Sequence, residues 1–442
     1  DPRRYMNVSQ SNLLFYLKMT SLGWIDFSSE DSAKVRTVLD LLSDTGVIDE
    51  LGIGVIRDSF ADRMFPGIST VQTRPKYFIL TAHILREYVE VELPKARPRP
   101  FPRFLEEEEK WCRIKLVETH GEGRQNLGII GGTFGTDSNR DVVRKPSSIY
   151  WTGLRQYGFI SPAHLSLAEF GRRLTDKKYH LQTLLEDSGE NRGDDEDAVD
   201  HDHRLRIHAP EMPEDYWNSL SINLTREEAE FLRFQIRANQ PDSLLGQILM
   251  DDAIMDEILE LPATANFEDF AELPFLSSLK HESLRVTVRQ ARHFWRLLEG
   301  AHVRYNIQLQ ELLGTSELIG EFVERWEAWR ENLSQHLEAW DTGFMWSVVR
   351  ERGSVPKPST RQFVEEWIEE CQAGAMNESR CDALVRKQEW NNKRKRARLR
   401  GNGAEGINHW IGLDGLNYRF AEVYQLIRDV RNAELGKELA DA

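Results

Sequence analysis

Three cysteines in 442 residues (Cys112, Cys371 and Cys381) are too few and too scattered for a disulfide framework or a thiolate metal site. That scarcity fits a reducing cytoplasm, the expected location. No run of about 18 apolar residues occurs, which excludes a helical membrane span. The short apolar stretch from Leu13 to Leu17 is too brief for a signal peptide. The glycine-rich stretch Gly128 to Gly135 lacks the Gly-Lys-Ser/Thr ending that gives a phosphate loop its lysine and magnesium ligand, so it reads as a surface connection. The twelve histidines show no signature around a nucleophile, and no period of a solenoid repeat is present. No cofactor is expected, and no catalytic residue can be assigned.

What is present is a soluble, folded composition, 40% apolar and 29% charged. Fifty-seven Lys and Arg stand against 72 Asp and Glu, a formal charge of −15. The acids are unevenly spread. Residues 186–202 hold nine carboxylates and a single arginine, Arg192, with no apolar recurrence, and read as a solvated linker. His201, Asp202, His203 and His208 lie in or beside it without the supporting shell that a fixed metal site needs.

Helical signals dominate, so the fold class is mainly α. Ser28 or Ser29 caps a first helix carrying Val35, Val38, Leu39 and Leu42. A second helix spans about Asp49 to Met64 and ends at Pro66-Gly67, and Thr73 opens a third. Pro94 to Pro102 reads as an extended connector before a helix from about Glu106 to Val117. Within that helix Glu108-Glu109-Lys110 reads as a solvated face rather than half of a nuclease centre. Pro146 to Tyr157, the stop at Gly158, the pair Phe159-Ile160 and the return from Leu165 to Leu174 have the order of a winged helix-turn-helix; a helical hairpin gives nearly the same pattern.

Beyond the linker, Thr225 and Glu228 have capping-box spacing. Residues 244–259 form one apolar segment, and 281–313 form one long helix or two joined at Gly300. Eight of the twelve tryptophans lie from Trp295 onward, as expected for the core of a helical array. The expected organisation is an extension over 1–18, an N-terminal lobe over 19–185 with its winged-helix-like portion near 140–175, an acidic linker over 186–206, and a Trp-rich helical lobe over 207–442.

The strongest local charge lies at 386–400. Arg386, Lys387, Lys393, Arg394, Lys395, Arg396, Arg398 and Arg400 are offset only by Glu389, and Trp390 sits among them. Eight cations on one segment suit salt-sensitive phosphate binding, with Trp390 stacking on a base or lying under an arginine plane. They equally suit pairing with this acidic protein's own carboxylates or with an acidic partner. A second patch comprises Arg140, Arg144, Lys145 and Arg155, with Ser147, Ser148 and Tyr150 as phosphate contacts.

Several segments together resemble a bacterial family known as domain of unknown function 6361. They are Leu22 to Phe27, Asp49 to Gly54, Ile56 to Asp58, Phe65 to Thr70, Gln72 to Arg74, Arg144 to Trp151, Lys393 to Arg400 and Asn417 to Phe420. The resemblance suggests Met19 as the natural start. It implies a role in anti-phage defence beside helicases and phospholipase-D-type nucleases, and supplies no activity. The expected function is thus a non-catalytic DNA-contacting or adaptor subunit. The alternatives are a scaffold that binds only proteins and an enzyme whose site is assembled from distant residues.

Overall fold

The computed structural model describes residues 49–121, 127–176, 205–314, 316–373, 376–401, 407 and 409–437. The expected extension 1–18, the helix after Ser28 or Ser29, residues 186–204 of the expected linker, and His201 and His203 lie outside these residues. The described chain is mainly helical, with sixteen α-helices and one pair of two-residue strands.

Helix α1 (Gly54–Met64) begins later than its apolar pattern suggests. The Asp49 carboxylate accepts from the backbone N–H groups of Gly52, Ile53 and Gly54 at 2.7, 3.1 and 2.7 Å, which holds Leu51 to Ile53 as a buried turn. Helix α2 (Lys76–Glu87) starts behind Pro75 rather than at Thr73, whose N–H donates to the Tyr150 hydroxyl. The proline connector is shorter than expected: α3 (Phe101–His120) carries Pro102 in its first turn, where a missing N–H costs nothing.

Helix α4 (Pro146–Gln156) is closed by Gly158 at φ +72°. Then come β1 (Ile160–Ser161), α5 (Leu167–Thr175) with a Ser166–Glu169 capping box, and β2 (Arg206–Ile207) antiparallel to β1. Helix α6 (Arg226–Asn239) carries the Thr225–Glu228 capping box that its sequence foretells. The apolar segment after it divides in two, α7 (Leu244–Met250) and α8 (Asp252–Leu259), because the Asp251 side chain caps a new start at Ala253 N–H. Short helices α9 (Phe267–Ala271) and α10 (Phe275–Ser278) lead into the centre of the molecule.

That centre is α11 (Glu282–Leu313), a single helix of 32 residues in which every position from Gly300 to Gln310 is buried. A helix covered on all sides is a core element. Gly300 does not break it; a Cβ there would lie 2.5 Å from the Trp329 ring of α12 (Ser316–Glu338). The missing side chain is a socket for an indole that also donates to Arg296 O at 2.6 Å. Gly300→Ala should therefore destabilise the fold by about 1–3 kcal/mol through overpacking, although alanine is the better helix former. Urea denaturation tests this, and a gain in stability would show that the ring moves aside freely.

Helices α13 (Thr342–Glu351), α14 (Pro358–Gln372), α15 (Glu378–Lys393) and α16 (Phe420–Glu434) complete the array. Trp326, Trp329 and Trp367 lie in sequence through its core, with ring centroids 4.9 and 6.2 Å apart. The core is continuous from Leu51 to Val430. Two buried ion pairs cross it: Arg74 Nε donates to Asp429 Oδ2 at 2.5 Å, and Lys76 Nζ to both oxygens of Glu228 at 2.7 Å.

Candidate nucleic-acid interface

Helix α15 stops at Lys393 because Arg394 takes φ +54°, a conformation that costs a non-glycine residue energy unless its surroundings enforce it. Two single 3₁₀ turns follow, Arg394–Arg396 and Arg398–Arg400, and Gly401 at φ +84° ends them. The small and apolar residues of this run are its anchors: Ala397 and Leu399 are buried.

Two fully buried carboxylates fix the segment from below. Glu389 accepts from Arg398 N–H at 2.7 Å, from Leu399 N–H at 3.1 Å and from the Tyr305 hydroxyl at 3.0 Å. Burial pushes its carboxyl up from the ordinary value, and these three donors pull it back. Glu50 pairs with the Lys393 ammonium and accepts from Arg398 Nη1 at 2.8 Å. The end of α15 is docked on the same turn, with Asn392 Nδ2 donating to Asp49 O at 2.9 Å and Gln388 Nε2 to Leu51 O at 2.6 Å.

The eight cations thus divide by role. Lys387, Lys393 and Arg398 pair with the protein's own carboxylates, Lys387 with Glu366 at 3.5 Å. Arg386 donates to Gln308 Oε1 at 2.8 Å. Arg400 is exposed, with its Cζ 3.9 Å from the centroid of half-buried Trp390. Arg394, Lys395 and Arg396 are exposed and have no anionic partner among the described residues.

The second patch is more internally committed. Lys145 pairs with Asp141 and, at 3.4 Å, with Glu106. Arg155 Nη1 donates to Ala163 O at 3.0 Å, and Arg140 faces Asp137 at 3.5 Å. Arg144 is half-exposed with no partner among the described residues. Of the expected phosphate contacts, Ser148 is exposed, but Ser147 and Tyr150 are buried. The Tyr150 hydroxyl accepts from Thr73 and Arg74 N–H and donates to Arg74 O at 2.8 Å. Ser147 N–H donates to Glu109 Oε1 at 2.5 Å.

Glu109 therefore does not belong to a solvated face. It is buried against the start of α4, and burial raises its carboxyl to about 7, with Ser147 and Lys145 opposing the shift and Asp141 adding to it. The partners Glu50, Glu109 and Glu389 escape sequence reading because each acts across the chain or a turn. The one local sign is the spacing of Ala397 and Leu399, which marks two inward positions within a basic run. Among the described residues no three His, Cys, Asp or Glu side chains converge on a metal position, and His208 is exposed.

Residues 19–185 match the model of a family of unknown function, DUF6361. The match includes the Arg144-to-Trp151 motif and ends before the basic segment. No curated protein and no solved structure matches the chain.

Proposed function

We propose that this chain is a non-catalytic, nucleic-acid-contacting subunit that acts beside a helicase or nuclease in bacterial anti-phage defence. One observation carries the contact: Arg394, Lys395 and Arg396 stand exposed and, among the described residues, unpaired, on a segment held by Glu389 and Glu50, in a protein with a charge of −15. An acidic chain has carboxylates enough to neutralise them, yet spends two buried ones on holding the segment in place. Three adjacent cations held in this way are a phosphate-binding arrangement with no folding cost at the moment of contact. Arg144, with α4, β1, α5 and β2 as a winged-helix-like unit, supplies a second contact in this reading. The defence assignment rests on the family resemblance alone.

The triple charge reversal R394E/K395E/R396E should abolish binding of an oligonucleotide in a salt titration. Restoring the residues singly should raise the salt slope in steps of about 0.7–0.9 per phosphate engaged. Binding that survives the triple reversal unchanged removes this segment from the interface.

A protein-only scaffold is the second reading. It is favoured by Trp111, which is 42% exposed and set edge-on to half-buried Trp217 at 5.9 Å, an exposed aromatic on a fixed support of the kind that anchors interfaces. Stable capture of partner proteins with no oligonucleotide retained at low salt would select it.

A further inference from the structure

We infer that the ligand of the 394–400 segment is single-stranded nucleic acid, with one base stacked on the outer face of the Arg400 guanidinium. The inference rests on the nucleic-acid reading above and deepens it.

The shape of the segment argues first. A major groove is read by an α-helix or a two-stranded ribbon that protrudes far enough to enter it. Here the free cations lie on 3₁₀ turns of three residues each. The helix before them is tied down at Asn392, which donates to Asp49 O, so its end does not project as a reading head. Such a surface follows a backbone instead of filling a groove.

The Arg400–Trp390 pair argues second. With its Cζ over the ring, 3.9 Å from the centroid, the guanidinium rests on the indole. Arg400 is exposed, and among the described residues it makes no hydrogen bond or ion pair and rests on no second ring. A supported guanidinium plane is a platform on which unpaired bases stack, as they do on aromatic rings. In a duplex the faces of each base are already taken by its neighbours. Arg394, Lys395 and Arg396 lie a few residues away and meet the phosphates, while Arg400 meets a base.

Charge argues third. Outside residues 386–400 the chain carries a formal −22, since that window holds eight cations and one acid within a total of −15. A duplex presents roughly twice the linear charge density of one strand to that acidic remainder. A short single strand keeps its phosphates on the cations and away from the carboxylates.

The test uses the full chain with labelled oligothymidylate and oligouridylate of about 12 nucleotides, and with a mixed-sequence duplex of the same length beside each of its own strands. Anisotropy titrations over a range of salt should show the strands bound at least about tenfold tighter than the duplex. Arg400→Lys keeps the charge and removes the plane. It should weaken strand binding by about tenfold with the salt slope unchanged, while Trp390→Phe keeps most of the affinity. Equal or tighter duplex binding, or an Arg400→Lys variant that binds strands like the parent, overturns the inference and leaves the nucleic-acid reading standing. Failure to bind any of the probes at low salt overturns both.

Discussion

Glu228→Ala should cost about 4 kcal/mol of stability, a large share of what a folded chain of this kind possesses. The carboxylate accepts both contacts of the Lys76 ammonium at 2.7 Å, the Tyr216 hydroxyl at 3.0 Å and its own helix N-cap, Thr225 N–H, at 2.8 Å. Lys76 is 2% exposed and Glu228 3% exposed, so neither charge has water to fall back on. Burial already lowers the Lys76 ammonium from its ordinary value, and only Glu228 works substantially against that. Removing the acid leaves a buried cation and an unmet phenol, the condition that makes a broken buried pair expensive. Lys76→Met combined with Glu228→Leu removes both charges at once and should recover more than half of the loss. Urea denaturation of Lys76→Met, Glu228→Leu and the double measures the coupling. A loss below about 1 kcal/mol for Glu228→Ala would show that the pair contributes little to holding α2 on α6.

The second large effect is on the pH dependence of stability. Glu109 titrates at about 7 in the folded protein, above the ordinary carboxyl value of 4.5, because it is buried beside the start of α4. The native state then holds a proton that the unfolded chain has already released between those two values. The stabilisation is complete below the unfolded value and is lost as pH rises through about 7. The gap corresponds to roughly 3 kcal/mol. Glu109→Gln keeps an oxygen for Ser147 N–H and carries no charge. Its stability should therefore lack this slope, and above neutral pH it should exceed the parent by up to roughly 3 kcal/mol. Thermal unfolding of both proteins from about pH 5 to pH 8 reads the difference directly, because other carboxylates titrate equally in the two. Parallel stability curves would show that Glu109 is ionised throughout that range.

Much of the helical plan was legible because it is local. The Thr225–Glu228 box, the stop at Gly158 and the start at Pro146 are each written within a few residues. Local signals mislead where a distant partner overrides them. Thr73 has the chemistry of a helix cap, but Tyr150 takes its N–H. Gly300 has the look of a break, but its emptiness is filled by Trp329 from the next helix. Asp251 divides an apolar run that periodicity reads as continuous. The basic segment shows the same limit in chemical form: charge counts cations without regard to direction, whereas Glu50 and Glu389 decide which of them face outward. Glu50 lies 348 positions from Arg398, beyond the reach of any window on the sequence.

The bond between Arg74 and Asp429 spans 355 positions, and the contacts of Gln388 and Asn392 with the turn before α1 span nearly as many. During synthesis Arg74 leaves the ribosome long before its acceptor is made, and the turn before α1 waits nearly as long for the helix that anchors it. The early core therefore spends much of translation incomplete, with apolar surface open to the wrong neighbours. Such wide separation of paired residues also slows the search for the native topology once the chain is free. The consequence is kinetic: the chain itself should refold slowly after dilution from urea and depend on chaperones for its yield in the cell, whatever its equilibrium stability.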